Sequence, residues 1–173
     1  YGSGIAFTFA ARYPERVARM VLAGAAPCLR PSLKRKRKES IRWLEDGEIQ
    51  KFADGATPYI LNLSQQAVTG LRTESIERLR DDMLAMNDFG RRKYIVNTRR
   101  ICELISLEGQ PECETLVLIG EHDNFLTPAE NYELARRCKN ATFALMADVD
   151  HLIPIEKPRQ MARIYQHFLT GQS

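Results

Sequence analysis

Residues 115–120 read Thr-Leu-Val-Leu-Ile-Gly, a continuous apolar run that a glycine closes. A strand with one wet face alternates apolar and polar residues, whereas an unbroken apolar run fits a strand buried on both faces of a parallel sheet. Residues 16–24 contain a second such run, and residues 141–146 form a third, shorter one. The sequence therefore predicts parallel strands near residues 17–23, 115–119 and 141–146.

The segments between these strands have helical patterns. Residues 4–13 are small and apolar nearly all round, and Pro14 ends the helix that they predict. Two more helices are predicted on either side of the third strand, at residues 128–138 and 157–169. Between the first two strands the pattern is helical throughout, with predicted helices at residues 32–45, 48–63 (interrupted at Pro58), 73–86 and 91–105. Helices that alternate with parallel strands indicate an α/β fold, here with one large all-helical insertion.

The composition fits a single globular domain. The chain has 173 residues, 44% of them hydrophobic, and a net charge of +3, which excludes disordered, collagen-like and coiled-coil proteins. No apolar run approaches the ~20 residues that span a bilayer, so no membrane partner is expected. The four cysteines lack CxxC or Cys/His spacing, which indicates ordinary thiols of a cytoplasmic protein with no metal and no cofactor.

Positive charge is concentrated in the middle of the chain, in the run Lys34-Arg35-Lys36-Arg37-Lys38. Such a run either covers a solvated helix face or steers an anionic partner, for example nucleic acid, an acyl carrier protein or a coenzyme A thioester. Nucleic acid is disfavoured, because the nearby aromatic residues are only Trp43 and Phe52 and no recognisable binding module surrounds the run.

Two loops at strand ends carry the candidate chemistry. Asp123 follows the strand near residues 115–119, and His151 follows the strand near residues 141–146. Ligands and catalytic groups gather at the carboxyl ends of parallel strands. An imidazole that accepts a proton from a nucleophile needs a carboxylate on its other nitrogen, and Asp123 and His151 fit those roles.

Other polar residues in the same loops have competing interpretations. Glu121 is an alternative acid or a support for Asp123, and His122 is read as an exposed or supporting residue. Asp148 and Asp150 are interpreted as turn formers.

Three motifs together resemble the second half of an α/β-hydrolase: residues 12–22, residues 118–123 with Thr127-Pro128, and Asp150-His151 with residues 156–158. The resemblance covers nearly the whole chain. It implies the C-terminal half of the α/β-hydrolase parallel sheet with an all-helical lid. In that arrangement residues 1–28 are a core helix and strand, residues 29–112 the lid, and residues 113–173 the core that carries the acid and histidine loops.

The resemblance also implies a nucleophile-His-Asp triad, with His151 as base and then acid and Asp123 orienting it. In this family the nucleophile sits in a Gly-x-nucleophile-x-Gly elbow about a dozen residues before the motif similar to residues 12–14. Counting back puts the nucleophile immediately before Tyr1, so it is expected to be missing from this chain. A serine is favoured there, and an aspartate or a cysteine is the alternative. The backbone N–H of Tyr1 would then serve the oxyanion hole, and Gly2 would close the elbow.

Ser3 is the alternative nucleophile within the chain. An elbow has glycine two residues on either side of the nucleophile, whereas Ser3 is flanked at those distances by Tyr1 and Ile5. Ser3 is better interpreted as a small residue that lets its helix pack close to the sheet.

The lid is similar to that of bacterial 3-hydroxyacyl-carrier-protein acyltransferases, on the basis of residues 59–62, residues 84–90 and the lid length. This resemblance implies an acyl ester or thioester substrate and makes an acyl carrier protein a candidate partner. Carboxylesterase, lactonase and thioesterase activities stay open. A helical stripe in the lid is predicted to line an acyl pocket, namely Ile76, Leu79, Met83 and Met86.

The rival hypothesis is a catalytically inactive hydrolase fragment that acts as a binding or interaction protein. Without a nucleophile, residues 1–173 alone are expected to have no esterase activity. The strand near residues 17–23 would also expose an unpaired edge, which favours association. We therefore expect a requirement for an N-terminal half or for a homo-oligomer.

Overall fold

The sheet is parallel, as the apolar runs predict. A computed structural model describes residues 2–69, 73–104 and 106–171. Within these ranges one sheet contains the strands β1 (Arg19–Ala23), β2 (Glu114–Gly120) and β3 (Asn140–Met146), in that order across the sheet. All neighbours are parallel. Each strand lies within two residues of its predicted range, and the α/β fold class is confirmed.

Strand β2 is buried because both faces of the sheet are covered. Adjacent side chains of a strand point to opposite faces. Val117 belongs to a core with Phe7 and Leu134, whereas Leu118 belongs to a separate core with Met146. All residues of β2 after Glu114 are buried, which explains why its sequence is apolar without alternation.

The helices of the core surround this sheet. They are α1 (Gly2–Arg12), α6 (Pro128–Ala135), the short α7 (Ile153–Glu156) and α8 (Pro158–Thr170). The first helix ends before Pro14, as predicted. Three side chains of the last helix pack on the core that contains Leu118: Met161, Ile164 and Tyr165.

Four helices are inserted between β1 and β2 and form what we call the helical insertion: α2 (Pro31–Glu45), α3 (Ile49–Ile60), α4 (Thr73–Leu84) and α5 (Asp88–Glu103). The insertion has its own core of five buried residues: Leu44, Phe52, Ala53, Ala56 and Met83. The helical character predicted for this region is confirmed. Pro58 lies inside α3 and does not end it.

The start of α5 differs from the prediction of residue 91. The preceding helix, predicted over residues 73–86, ends at Leu84. Asn87 is instead the N-cap of α5, and its side chain accepts a hydrogen bond from the N–H of Gly90 at 2.9 Å. An asparagine favours either position, because its side-chain oxygen satisfies a free backbone N–H at a helix start as well as in a turn.

No helix in the described ranges combines the length and the apolar character needed to cross a membrane.

Candidate active site

Two loops meet at the carboxyl edge of the sheet. The loop after β2 carries Asp123 and the loop after β3 carries His151. Backbone hydrogen bonds join the two loops, from the N–H of Glu121 to the carbonyl of Met146 and from the N–H of His122 to the carbonyl of Val149, both at 2.9 Å. The parallel register of β2 and β3 therefore fixes the acid and the histidine side by side.

Asp123 and His151 are in direct contact. Oδ2 of Asp123 lies 2.7 Å from Nδ1 of His151, and the Asp123 side chain has no solvent exposure. Its other oxygen accepts the backbone N–H groups of Phe125 and Leu126 at 2.8 and 2.9 Å. A carboxylate only accepts hydrogen bonds, so we assign the proton of the imidazole to Nδ1. Nε2 of the neutral ring is then free to accept a proton.

Two neighbours hold the imidazole ring of His151 in place. The ring of Phe125 makes an edge contact with it at 4.7 Å between centroids. Gly24, directly after β1, has a φ of +55°, and a Cβ added there would lie 3.3 Å from Cε1 of His151. A glycine is therefore required at this position by its backbone conformation and by the closeness of the ring.

Asp150, which the sequence suggested as a turn former, also binds backbone groups of the site. It is fully buried and accepts the backbone N–H of His151 at 2.7 Å. It also accepts the backbone N–H of Asn62, from the helical insertion. Its own N–H donates to the carboxylate of Glu156 at 3.0 Å. Burial raises the pKa of both carboxyl groups, Asp150 and Glu156, above their ordinary values.

Asn62 links the insertion to both loops of the site. Its backbone N–H donates to Asp150, and its side-chain Nδ2 donates to the carbonyl of His122 at 2.8 Å. In the sequence Asn62 belongs only to the lid resemblance, and this contact is not predicted from it. No local pattern could have revealed it, because the partners lie 60 and 88 residues away.

Asn131 is a second residue that sequence reasoning missed. It is fully buried, and its Oδ1 accepts the N–H of Ala25 at 2.8 Å. Its Nδ2 donates to the carbonyls of Leu126 and Thr127 at 3.0 and 3.1 Å. The side chain thus ties the end of β1 to the loop that carries Asp123. The available signal was a polar residue on the buried face of α6 beside Leu134.

Arg30 and a capping box fix the rest of the acid loop. Arg30 donates to the carbonyls of Asn124 and Phe125 at 2.6 and 2.9 Å and pairs with Glu130 at 2.8 Å. Thr127 caps α6 by accepting the N–H of Glu130, whose carboxylate accepts the N–H of Thr127. These hydrogen bonds fix the conformation of the loop that carries Asp123.

His151 opens onto a cavity of about 580 Å³, which we call the His151 cavity. This volume is typical of small-molecule sites. Its walls come from α1, the loop after β1, the insertion and the acid loop, and they are mainly apolar; examples are Ile5, Phe9, Leu29, Ile101, Leu104 and Phe125.

The prediction that the stripe from Ile76 to Met86 lines an acyl pocket is wrong for this cavity. None of its four members lies in the cavity wall. Met83 is buried in the core of the insertion, and Leu79 and Met86 pack against that core. Apolar side chains at helical spacing fill a core as readily as they line a pocket, so the spacing alone does not separate the two.

The remaining sequence candidates are less central. Tyr1 lies outside the described residues. Ser3 lines the His151 cavity, but its hydroxyl donates to the carbonyl of Ala23 at 3.3 Å, and the described structure has no hydrogen bond between Ser3 and His151. Glu121 is exposed and accepts the N–H of Asp148, so Asp123 and not Glu121 contacts the histidine.

One surface cluster has the spacing of metal ligands. The ligand atoms of Glu121, His122 and Asp148 lie within 4.8 Å of one another, and Nε2 of His122 is buried without a partner among the described residues. Both acids are exposed. Exposed acidic groups are often this close without an ion, and we assign no metal to the cluster.

Known proteins share this architecture. A Bacillus subtilis (strain 168) protein provisionally named 2-succinyl-6-hydroxy-2,4-cyclohexadiene-1-carboxylate synthase is 26% identical over 174 residues, which cover 98% of this chain and 63% of that protein. An alpha/beta hydrolase enzyme from a Medee basin deep-sea metagenome library has a TM-score of 0.80 at 23% identity, over 100% of this chain and 63% of that one. A thermophilic esterase from Thermogutta terrifontis has a TM-score of 0.74 at 24% identity, over 98% and 62%.

The chain therefore spans less than two thirds of the length of these relatives. The likeness to the two solved structures establishes the fold alone. The family itself follows from a family model, described as alpha/beta hydrolase fold, that matches residues 1–158. The superfamily resemblance drawn from the sequence is confirmed, whereas the narrower one to acyltransferases stays a prediction. With its parallel sheet and its acid and histidine loops at one edge, the chain belongs to the alpha/beta hydrolase fold family.

Proposed function

We propose that the whole protein cleaves an ester or thioester, with His151 as general base and acid and Asp123 as the carboxylate that orients it. The observation that carries this proposal is the 2.7 Å contact between Nδ1 of His151 and a fully buried Asp123 carboxylate, beside a cavity of substrate size. A buried carboxylate that is hydrogen-bonded to the backbone and to the imidazole holds the ring in one orientation. It also stabilises the imidazolium that forms during turnover.

The reaction would proceed in two acyl-transfer steps. A nucleophile, proposed to be a serine immediately before Tyr1, attacks the acyl carbonyl while Nε2 of His151 takes its proton. His151 then returns the proton to the departing alcohol or thiol as the acyl–oxygen or acyl–sulfur bond breaks. Water attacks the acyl-enzyme in the same way and releases the acid. The backbone N–H of Tyr1 would stabilise the oxyanion of each tetrahedral intermediate.

Replacement of Asp123 tests this proposal. In the whole protein Asp123→Asn keeps the size of the side chain but removes the carboxylate that accepts the Nδ1 proton of His151. The value of kcat/KM for an ester should therefore fall by roughly 10²- to 10⁴-fold. Asp148→Asn, which removes an exposed carboxylate from the neighbouring loop, is the matched control and should stay within about twofold. Equal activities for the two variants would remove Asp123 from the mechanism.

Acyl transfer from a carrier protein is the second candidate function. It is favoured by a basic groove of about 570 Å³ on the outer side of α2, lined by Leu29, Pro31, Lys34, Arg35, Lys38 and Arg42. Such a groove suits the acidic surface or the phosphate of a carrier-bound thioester. Rates of hydrolysis of short esters and of transfer from hydroxyacyl thioesters should be compared, and a clear preference for short esters would reject the transferase.

The rival hypothesis, a binding protein without turnover, predicts that no ester or thioester is cleaved. In the described residues β1 pairs only with β2, and we propose that an N-terminal half or a second copy covers its other edge. The cytoplasmic location and the lack of a nucleic-acid partner stay predictions.

A further inference from the structure

The basic run of α2 is divided between two faces of the helix. Arg37 follows Leu33 by four residues and precedes Ile41 and Leu44 by four and seven, and these three side chains are buried. This spacing puts Arg37 on the inward face. Lys34, Arg35 and Lys38 line the basic groove on the outer side instead. Arg37 thus has a different environment from its neighbours, although the sequence shows one uniform run.

Uncharged groups hold the guanidinium of Arg37 at the wall of the His151 cavity. Nη1 donates to the hydroxyl of Tyr94 at 3.0 Å, and that hydroxyl is 2.9 Å from Oγ of Ser40. The Ser40 hydroxyl donates to the carbonyl of Arg37, so the tyrosine proton is directed at Ser40 and its oxygen accepts from Arg37. The guanidinium carbon also lies 4.6 Å from the centre of the Phe125 ring. Arg37 is therefore positioned without being neutralised.

The cavity has cationic side chains and no acidic ones in its described wall. Arg12, Arg37 and Arg100 all line it, and none of the three forms a salt bridge with a described residue. In contrast, Arg30, which precedes α2 and binds the nearby acid loop, is paired with Glu130. Asp123 lies behind His151 and is already bound by it. Arg12 and Arg100 are exposed and Arg37 is half-buried, so the three cations attract an anion to this apolar space and Arg37 is the least screened by solvent.

Arg37 and His151 both contact the ring of Phe125 in the cavity wall. The centre of that ring lies 4.6 Å from the guanidinium carbon and 4.7 Å from the centre of the His151 ring. The two groups are therefore near enough for one small molecule to reach both. A carboxylate a few methylene groups away from an ester carbonyl fits this separation, and the planar guanidinium fork matches a carboxylate.

We propose that the His151 cavity takes an ester or thioester whose acyl part ends in a carboxylate, and that Arg37 binds that carboxylate. This rests on the proposed function, because it names the substrate class of the same site. Arg37 acts as a specificity residue and takes no part in bond breaking. Apolar walls accommodate the methylene chain between the two polar ends.

A matched pair of substrates tests the proposal in the whole protein. The p-nitrophenyl monoester of glutaric acid and p-nitrophenyl valerate differ only in a terminal carboxylate against a methyl group. Arg37→Met should lower kcat/KM for the glutarate ester by roughly 10- to 100-fold, the usual worth of a hydrogen bond to a charged group. The valerate ester should change by less than about twofold. Arg92→Met, at an exposed position of α5 outside the cavity wall and the basic groove, is the control and should leave both unchanged.

Binding of free glutarate gives a readout that does not depend on turnover. Calorimetry should detect glutarate binding to the wild type, weaker binding of inorganic phosphate, and a loss of glutarate affinity in Arg37→Met. Arg37→Lys keeps the charge without the planar fork and should bind glutarate with an intermediate affinity. This second variant keeps the test valid if the methionine variant does not fold.

The results of these experiments distinguish the carboxylate site at Arg37 from the proposed ester or thioester cleavage. Equal effects of Arg37→Met on both esters, or glutarate binding that is unaffected in it, would overturn the carboxylate site. Phosphate binding as tight as glutarate would overturn the assignment to a carboxylate. Arg37-dependent binding of glutarate without hydrolysis of either ester would support the anion site and refute the proposed function.

Discussion

At the scale of single residues, Gly24 shapes the site as strongly as the charged groups do. It has a left-handed backbone at the end of β1, with the edge of the His151 ring directly beside it. Gly47, between α2 and α3, has a similar φ of +75° but nothing within 4 Å of an added Cβ. The two glycines therefore separate the cost of backbone strain from the cost of displacing the imidazole.

Gly24→Ala should destabilise the protein by about 1–3 kcal/mol, as a non-glycine residue at positive φ does, and Gly47→Ala should cost a similar amount. Only Gly24→Ala should also lower kcat/KM, because its Cβ pushes His151 away from Asp123. Urea unfolding and ester hydrolysis of both variants check this. A Gly24→Ala enzyme as active as Gly47→Ala would show that the ring tolerates the contact.

The sequence predicted Asp123 and His151 as partners because strand ends are local features. Asn62, Asn131 and Arg37 could not be assigned in that way. Their roles depend on partners 57 to 106 residues away in the chain. An amide or a guanidinium acquires such a role only when the helices are packed, and no periodicity encodes the identity of the partner.

At the scale of elements, the segment from β3 through α7 contains two linked carboxyl groups, the buried Asp150 and the half-buried Glu156. Asp150 binds the backbone of His151 and Asn62, and Glu156 binds the backbone of Asp150. The pKa of each is raised, chiefly by burial. A raised pKa means that the folded protein holds the proton more tightly than the unfolded chain does. The stability that each group contributes is thus present at low pH and lost as the pH rises through its folded pKa.

Glu156→Gln should remove one of these titrations while keeping an acceptor for the N–H of Asp150. The free energy of unfolding of the wild type should fall relative to this variant as the pH rises above 4.5, the ordinary value for the side chain. Urea unfolding of both proteins between about pH 4 and pH 8 measures the difference. A difference that is independent of pH, or that favours the wild type as the pH rises, would contradict the assignment.

The helix boundaries show where sequence patterns are least informative. The strands and most helices follow from runs and periodicity, but residues 87–90 fit a helix stop as well as a helix start. Asn87 in the structure caps α5. The choice depends on how α4 and α5 pack, since local hydrogen bonds satisfy both alternatives.

At the scale of the whole molecule, the parallel sheet and the helical insertion cooperate to build one site. Strand ends supply Asp123, His151 and Gly24, while the insertion supplies Arg37 and the Asn62 contacts to both loops. The α/β class and the parallel order could be predicted because they depend on buried apolar runs. The cavity could not, because it forms only where the insertion meets the loops.

Proton transfer by His151 during turnover is the step on which the proposed function depends. The most direct measurement is ester hydrolysis by the whole protein and its His151→Ala and His122→Ala variants, with unfolding curves for all three. His151→Ala should lose roughly 10²- to 10⁴-fold in kcat/KM with a nearly unchanged unfolding midpoint, while His122→Ala should retain activity. Full activity in His151→Ala, or an equal loss in both variants, would contradict the account.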